Sequence, residues 1–351
     1  GLARAARDLE TPDDTPVGDE SAGSLIRRRL GDEVLERLVG PLLGGINAGD
    51  PDKLSLQAGV PQLAAAVGHD ASLMRSIPEH LRRSGRDPQA PIFLTHPRGL
   101  GHVVDTMATR LQRRVHLNQP VRNLTRNETG WRLTAEDVYD ADALVLATPA
   151  FASARLLRDV APGTAAMLDR IDYASVVMVT FAFETAAMPD LPGSGFLIPR
   201  SEGLLMTACS QASTKWEHLG GRTTFLRVSA GRAGDDRAID MVDDELVDHL
   251  LRELGWVLGI DAEPREVRIT RWPRSFPQYS PGHGDRVVEI EARLAEEAPG
   301  IVLTGAAYRG LGLPACVHQG RRAAKVVEDL LGREPAPPTG PGVTREPGAR
   351  A

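Results

Sequence analysis

Two short apolar runs, at residues 143–147 and 301–304, constrain the fold of this chain more than any other feature of its sequence. Each run is continuous, has the length of a strand and is bounded by turn residues, which is typical of a parallel strand buried on both faces. The second run comes near the end of the chain, after a long stretch that predicts other strands. We therefore expect a mixed α/β chain in which distant segments share one sheet and a second sheet lies between them.

Helical and strand patterns divide the rest of the chain. Apolar residues recur at helical spacing over 24–43, 57–67, 100–111, 150–157, 240–256, 288–298 and 315–331. Strands are predicted at 114–117, 121–126, 131–135, 176–183, 195–199, 204–208, 223–230 and 267–271. Residues 1–23 are polar and are interpreted as a connector. From 332 to 351 proline, glycine and charge dominate, so we expect a disordered tail.

The composition excludes several classes of protein. The net charge is −6, from 41 basic and 47 acidic residues without a basic block, so nucleic acid is not an expected partner. The apolar runs are too short to span a bilayer, which leaves peripheral membrane contact open. Two cysteines cannot build a disulfide scaffold or a cysteine-rich zinc site, and they suit a reducing compartment such as the cytoplasm. No nucleophile motif or metal-ligand spacing is present, so no catalytic or metal-ligating residue is predicted.

A glycine-rich loop follows the second apolar run and leads into the last helix. Gly310 and Gly312 formally match the G-x-G-x-x-A pattern of dinucleotide-binding folds, but the loop is long, Pro314 interrupts it and no second strand follows. Glycines still let a ligand approach the backbone, and the helix start offers N–H groups to a flat cofactor that becomes anionic on reduction. On spacing alone, a strand–turn–helix with glycines for packing is the favoured interpretation.

Two further features are ambiguous by themselves. The segment 272–279, rich in aromatic residues and proline, could form a rigid wall beside a planar ligand or a hydrophobic anchor, and the anchor is favoured. Val121 opens an edge-like strand after Pro120 and is, on its own, a core residue.

Four segments together carry a resemblance to a known family. They are RRRLGDEV at 27–34, PLLGGINAGD at 41–50, WPRSFPQY at 272–279 and YRGLGLPACV at 308–317. Over nearly all of residues 1–331 the chain resembles the FAD-dependent protoporphyrinogen and coproporphyrinogen oxidases of haem synthesis, which belong to the flavin amine oxidase superfamily. The resemblance implies an incomplete FAD-binding Rossmann-like domain, an interleaved mixed-sheet substrate domain and a helical subdomain.

The same resemblance implies a division of the chain into domains. Residues 1–95 would form the mainly helical subdomain, and 96–160 with 285–331 would form the remaining part of the FAD-binding domain. Residues 161–284 would form the mixed-sheet substrate-binding domain.

The resemblance also assigns residues to the cofactor, FAD. The backbone at Val121 is expected to touch its adenine end, and Trp272 is expected to flank the flavin. Gly310, Leu311 and Gly312 are expected to lie against the isoalloxazine, with the helix from 315 aimed at its pyrimidine edge.

Three residues match positions that line the porphyrinogen pocket in the family, namely Gly195, Leu197 and Ser229. By the family mechanism, a hydride leaves a methylene bridge of the porphyrinogen for the flavin, and oxygen then reoxidises the flavin with release of peroxide. Because the cofactor carries this chemistry, the protein needs no acid–base pair of its own.

Coproporphyrinogen III is the expected substrate, with protoporphyrinogen IX as the alternative. Arginine far outnumbers lysine in this chain, which indicates a high-GC bacterium, and in Gram-positive lineages the family typically acts on coproporphyrinogen. Arg200, Lys215 and Arg232 are the candidates to pair with its propionates, although each is also explained as a surface charge.

The resemblance begins part-way into the family pattern. The family starts with a strand, a G-x-G-x-x-G turn and a helix that hold the FAD pyrophosphate, and we expect a longer gene to encode this segment before Gly1. Without it we expect weak FAD binding or none. An inactive, tetrapyrrole-binding fragment is therefore an alternative, whereas a monoamine oxidase or carotenoid desaturase lacks support. The expected partners are a porphyrinogen, molecular oxygen and, transiently, other enzymes of haem synthesis.

Overall fold

The computed structural model describes residues 1–10, 18–67, 72–85, 87, 89–91, 93–191 and 193–332. The helices among these residues are α1 (Leu2–Ala6), α2 (Ala22–Leu30), α3 (Asp32–Val34), α4 (Gly40–Asn47), α5 (Leu56–Gly59), α6 (Pro61–Val67), α7 (Leu73–Arg83), α8 (Gly101–Leu111), α9 (Ala150–Leu157), α10 (Pro162–Leu168), α11 (Ala212–Lys215), α12 (Arg237–Asp240), α13 (Asp243–Leu258), α14 (His283–Glu297) and α15 (Leu313–Leu330). A π-helical turn, Leu35–Val39, joins α3 to α4. The predicted tail at 332–351 lies outside the described residues except for Gly332.

The strands form three sheets. They are β1 (Asn123–Arg126), β2 (Trp131–Thr134), β3 (Val138–Ala141), β4 (Leu144–Leu146), β5 (Tyr173–Glu184), β6 (Gly195–Leu197), β7 (Met206–Gln211), β8 (Thr223–Ala230), β9 (Glu266–Pro277) and β10 (Ile301–Leu303). The first sheet is antiparallel with order β1-β2-β3, and the second is the parallel pair β10-β4. The third is antiparallel with order β6-β7-β8-β5-β9.

The two apolar runs pair as predicted. Ile301 lies opposite Leu144 in the parallel pair, and helices α9, α10 and α14 contribute to the core around it, with Leu157 completely buried. Trp131 of β2 belongs to the same core, where its indole Nε1 donates to the carbonyl of Pro299 at 3.2 Å. The prediction of a mixed α/β fold is thereby confirmed.

Alternation along β5 shows how the five-stranded sheet is layered. Val177, Val179 and Phe181 are completely buried in a core that also contains residues of α13, whereas Met178 and Thr180 are only partly buried. Successive side chains of a strand point to opposite faces of the sheet. One face therefore belongs to the α13 core, and the other is available for a different role.

Residues 1–10 are not the loose connector that their polarity predicts. The buried carboxylate of Asp8 accepts hydrogen bonds from Arg29 Nε at 2.6 Å and from Ser72 Oγ at 2.9 Å. The backbone N–H of Met74 donates to the same carboxylate at 2.9 Å. Burial alone would raise the pKa of Asp8, but these hydrogen bonds outweigh it and hold the pKa below its usual range. The carboxylate thus joins the first residues to α2 and α7.

Some predicted elements differ from the observed ones. The helix predicted at 24–43 is interrupted at Gly31, whose φ of +93° ends α2. No strand forms at 114–117, and β1 begins only at Asn123, so Val121 lies before the strand rather than in it. The strand predicted at 267–271 continues as β9 to Pro277, because β9 is an edge strand and an edge strand tolerates proline.

None of the described helices is both long and apolar enough to cross a membrane.

Candidate functional site

One row of residues crosses all five strands of the large sheet. Leu197 lies opposite Ala208, and Ala208 lies opposite Ser229. Ser229 lies opposite Met178, which in turn lies opposite Thr270. Directly opposed residues on antiparallel strands share a face. Because Met178 lies on the face away from α13, the whole row does, and we call this surface the open face.

Two more of the predicted site residues lie on the open face. Gly195 lies two positions from Leu197 in β6, and Trp272 lies two positions from Thr270 in β9. Because every second residue of a strand lies on the same face of the sheet, both belong to the open face. Leu197 and Trp272 keep 39% and 41% of their surface exposed. An added Cβ at Gly195 would lie 2.3 Å from the carbonyl oxygen of Cys209, so the strands approach too closely there for a side chain. The structure thus brings together Gly195, Leu197, Ser229 and Trp272.

Helix α4 borders the open face beside β6. An added Cβ at Gly45 of α4 would lie 2.9 Å from Leu197 Cδ2, so glycine allows the helix to approach the strand. Ala48, which ends α4 in the left-handed conformation, accepts a hydrogen bond from Ala233 N at 2.7 Å. These contacts fix the helical region against the sheet next to the row.

The glycine-rich loop between β10 and α15 is held through its backbone by Tyr279. The hydroxyl of Tyr279 donates to the carbonyl of Ala306 and accepts from the N–H of Gly310 at 3.0 Å. Burial raises the pKa of Tyr279 well above its usual value, so the hydroxyl stays protonated. Tyr279 lies two residues after the end of β9, so the strand that contains Trp272 leads directly into the segment that holds the loop.

His283 supports the same loop from the start of α14. Its ring stacks on that of Tyr279, with the centroids 4.2 Å apart, and its Nε2 lies 3.0 Å from the carbonyl oxygen of Tyr308. The carbonyl can only accept, so we assign the ring proton to Nε2. Burial lowers the pKa of His283 to about 4, and the imidazole is therefore neutral near pH 7.

Comparison with known proteins identifies the family to which this arrangement belongs. Residues 2–328 match the family model described as flavin containing amine oxidoreductase. The chain belongs to this family. It is similar to the coproporphyrinogen III oxidase of Bacillus subtilis (strain 168), with 34% identity over 94% of this chain and 71% of that protein. It is also similar to the chloroplastic protoporphyrinogen oxidase of Oryza sativa subsp. japonica, with 26% identity over 90% of this chain and 64% of that protein.

Solved structures agree with the family. A protein from Exiguobacterium sp. 255-15, described as a candidate protoporphyrinogen oxidase, aligns with a TM-score of 0.81 at 31% identity, covering 94% of this chain and 72% of that one. The cyclohexylamine oxidase of Brevibacterium oxydans shares the fold, with a TM-score of 0.65 at 15% identity over 93% of this chain and 71% of that one. The expected flavin cofactor, FAD, and the expected class, an FAD-dependent oxidoreductase, are confirmed by these findings.

The loop predicted to meet the flavin fits such a group. Gly310 has a φ of +122°, and a Cβ there would lie 2.8 Å from Ala315 Cβ, so only glycine suits this position. Gly312 is exposed, and a Cβ on it would meet nothing closer than Pro314 Cδ at 3.7 Å. Within the described residues, the N–H groups of Leu313 and Ala315 donate to no acceptor. They lie at the positive end of the 18-residue helix α15, which favours an anion.

Two of the residues predicted to contact FAD have surroundings that limit their roles. The half-buried side chain of Leu311 packs against the hydrophobic cluster of the helical region, which leaves its backbone for a ligand. Val121 lies just before β1, next to the hydrogen bond from Arg122 N to Thr134 O, and is not brought to the open face. A contact between Val121 and FAD stays a prediction.

Sequence reasoning missed Tyr279 and His283 as parts of the site. Tyr279 lies within the segment 272–279, but the pattern gave no sign that its hydroxyl serves the loop. No group of three or more His, Cys, Asp or Glu that could hold a metal ion occurs in the part of the chain that the structure describes.

The three cations predicted to meet propionates lie in different surroundings. Lys215 is exposed, with its Nζ 4.7 Å from the ring centroid of Phe93. Arg200 is exposed and donates to the carbonyl of Ala233 at 3.1 Å. Arg232 is buried, with 7% of its surface exposed.

Proposed function

We propose that this protein oxidises coproporphyrinogen III to coproporphyrin III in haem synthesis, with molecular oxygen as the electron acceptor and peroxide as the second product. The observation that carries the proposal is the single face that unites Gly195, Leu197, Ser229 and Trp272 on the sheet. The name of the Bacillus subtilis relative supports the choice of substrate.

The open face suits a large and flat ligand. Leu197, Met178 and Trp272 offer partly exposed apolar surface to a tetrapyrrole ring system. Gly195 keeps one end of this surface flat, because no side chain fits there. Ser229 places a hydroxyl in the middle of the row.

The glycine-rich loop would hold the cofactor beside this face. Gly310, Leu311 and Gly312 would contact the flavin, and Trp272 would flank it. When bound, FAD supplies a hydride acceptor for the methylene bridges of the porphyrinogen. The N–H groups of Leu313 and Ala315, at the positive end of α15, would stabilise negative charge on a ligand placed there.

The two residues that support the loop contribute position rather than proton transfer. Tyr279 is protonated and His283 is neutral near pH 7, and each is occupied by a backbone group of the loop. Their role in the proposed reaction is to keep the loop in one conformation. We further propose that the protein acts in the cytoplasm, with only peripheral membrane contact, and meets other enzymes of haem synthesis transiently.

Turnover by the purified chain in the presence of added FAD tests this proposal. Porphyrin fluorescence is followed after addition of coproporphyrinogen III or protoporphyrinogen IX under air, with the spontaneous oxidation of each subtracted. We expect a faster rise with coproporphyrinogen III. The variant Leu197→Asp should lower this rate at least tenfold, because a carboxylate would repel the propionates and break the apolar surface.

The matched control is Val138→Asp, which places the same charge on an exposed position of the three-stranded sheet. We expect it to keep the rate of the unmodified chain. A faster reaction with protoporphyrinogen IX would instead support the activity named for the rice relative. Bound FAD is checked first by the absorbance of the flavin that stays with the protein, and no rise with either substrate from a chain that has bound FAD would contradict the proposal.

A further inference from the structure

A small cavity lies between the helical region and the large sheet, next to the open face. Its volume is about 160 Å³, below the roughly 300–1,000 Å³ of pockets that enclose a whole drug-sized ligand. Gly44 and Gly45 of α4 form part of one wall, and Ile198 and Thr207 form part of the other. Gly45 is also the residue of α4 that lies against Leu197 Cδ2. Thr207 Oγ1 donates to the carbonyl of Ser229 at 3.1 Å. The cavity thus adjoins the row that carries the proposed substrate residues.

Arg232 lines this cavity with a buried guanidinium group that makes no hydrogen bond to the described residues. Its Nε is buried without a hydrogen bond, and no hydrogen bond from the guanidinium to another described residue is formed. The carboxylate of Asp235 is 4.0 Å from Nε, which is too far for a hydrogen bond. Asp235 is instead bound by Arg237, whose Nη2 and Nε donate to it at 2.7 and 2.8 Å.

A buried guanidinium whose ion pair is as long as 4.0 Å, and which makes no hydrogen bond, is only partly compensated and would gain from a second anion. Burial lowers the pKa of Arg232, and the nearby positive charge of Arg200 lowers it further. Arg200 lines the same cavity, and its hydrogen bond to the Ala233 carbonyl holds it beside Arg232. Two guanidinium groups at one wall are an arrangement suited to a carboxylate.

The other charges of the cavity come from the helical wall. Arg27 is already paired there, because its Nη1 and Nη2 donate to Asp52 at 2.8 and 3.0 Å. Glu36 and Asp50 also line the cavity, so its formal charges balance. Recognition of an anion would therefore depend on the unsatisfied donors of Arg232 and not on an overall positive field.

We propose that Arg232, with Arg200 beside it, binds one propionate carboxylate of the porphyrinogen substrate. This inference rests on the proposed function, which supplies a substrate that carries propionates. The macrocycle lies on the open face, and one of its side chains enters the cavity next to Leu197. Arg232 is then a determinant of substrate specificity, since it favours binding of a porphyrinogen that carries a carboxylate at that corner of the ring.

Binding of coproporphyrin III and of its tetramethyl ester to the purified chain tests the inference. Dissociation constants are measured by porphyrin fluorescence for the unmodified chain, for Arg232→Met and for Arg232→Lys. Arg252→Met is the matched control, because it removes the same charge from the exposed surface of α13, on the other side of the sheet. The midpoint of thermal unfolding is recorded for each variant.

We expect Arg232→Met to weaken binding of the free acid about tenfold or more, to leave binding of the ester unchanged and to keep or raise the unfolding midpoint. The dissociation constant of Arg232→Lys for the free acid should lie between those of the unmodified chain and Arg232→Met. Arg252→Met should bind the free acid as the unmodified chain does. Equal loss for acid and ester with a lowered midpoint would show a structural role and overturn the inference. Unchanged binding of the acid by Arg232→Met would also overturn it while leaving the proposed function intact. Failure of the unmodified chain to bind coproporphyrin III would overturn both.

Discussion

At the scale of single residues, the site is supported by side chains that bind backbone groups. Tyr279 bridges a carbonyl and an N–H of the glycine-rich loop, and His283 binds a third group of the same loop. The resemblance predicts that Gly310 and Gly312 contact the cofactor, because they lie in a segment specific to the family. It could not assign the supporting residues, because their partners are 25 to 31 positions away in the chain.

His283 makes the stability of the protein depend on pH in a defined window. Its pKa is about 4 in the folded protein and about 6.5 when unfolded, so the unfolded chain binds more protons between these values. The contribution of the buried, neutral histidine to the free energy of unfolding is fully present above pH 6.5 and is lost as the pH falls towards 4. Asp19 and Arg286 face the ring with opposite effects on its pKa, and burial exceeds both.

Urea unfolding at several pH values checks this prediction. Between pH 6.5 and 4, the free energy of unfolding of the unmodified chain should fall by roughly 3 kcal/mol more than that of His283→Gln. Parallel curves for the two proteins would show that the histidine is not buried as a neutral group.

At the scale of secondary-structure elements, the prediction of the parallel strands, which rests on a local sequence pattern, is confirmed, whereas features that depend on tertiary contacts are missed. The runs at 143–147 and 301–304 sufficed to predict the parallel pair, because continuous apolar strands need two covered faces. The extension of β9 through Pro273 was not predictable, since proline disfavours a strand until its place at the sheet edge is known. The polarity of residues 1–10 predicted a loose connector, because it could not show that Asp8 forms hydrogen bonds with residues 21 and 64 positions away.

The attachment of the first residues to α2 and α7 gives a prediction about stability. Asp8→Asn should lower the free energy of unfolding by about 3–5 kcal/mol, because it leaves the buried guanidinium of Arg29 without its charge partner. Asp32→Asn is the matched control. It breaks an exposed pair with Arg27 and should cost about 1 kcal/mol or less. Equal effects in urea unfolding would show that the buried pair does not anchor this segment.

At the scale of the whole molecule, one surface collects contributions from distant parts of the chain. The strands of the large sheet supply the open face, and α4 borders it. Tyr279, two residues after β9, holds the loop that leads into α15. This assembly could be expected only from the resemblance, because no local pattern relates residue 45 to residue 197. The domain boundaries at 95, 160 and 284 remain predictions.

The central claim is that the open face presents a porphyrinogen to a flavin held by the glycine-rich loop. Anaerobic mixing of the FAD-loaded protein with coproporphyrinogen III tests it most directly, with the visible absorbance of the flavin as the readout. We predict that this absorbance is lost on mixing, and that admission of oxygen restores it while porphyrin fluorescence rises. A flavin that remains oxidised in the presence of excess coproporphyrinogen III would contradict the account.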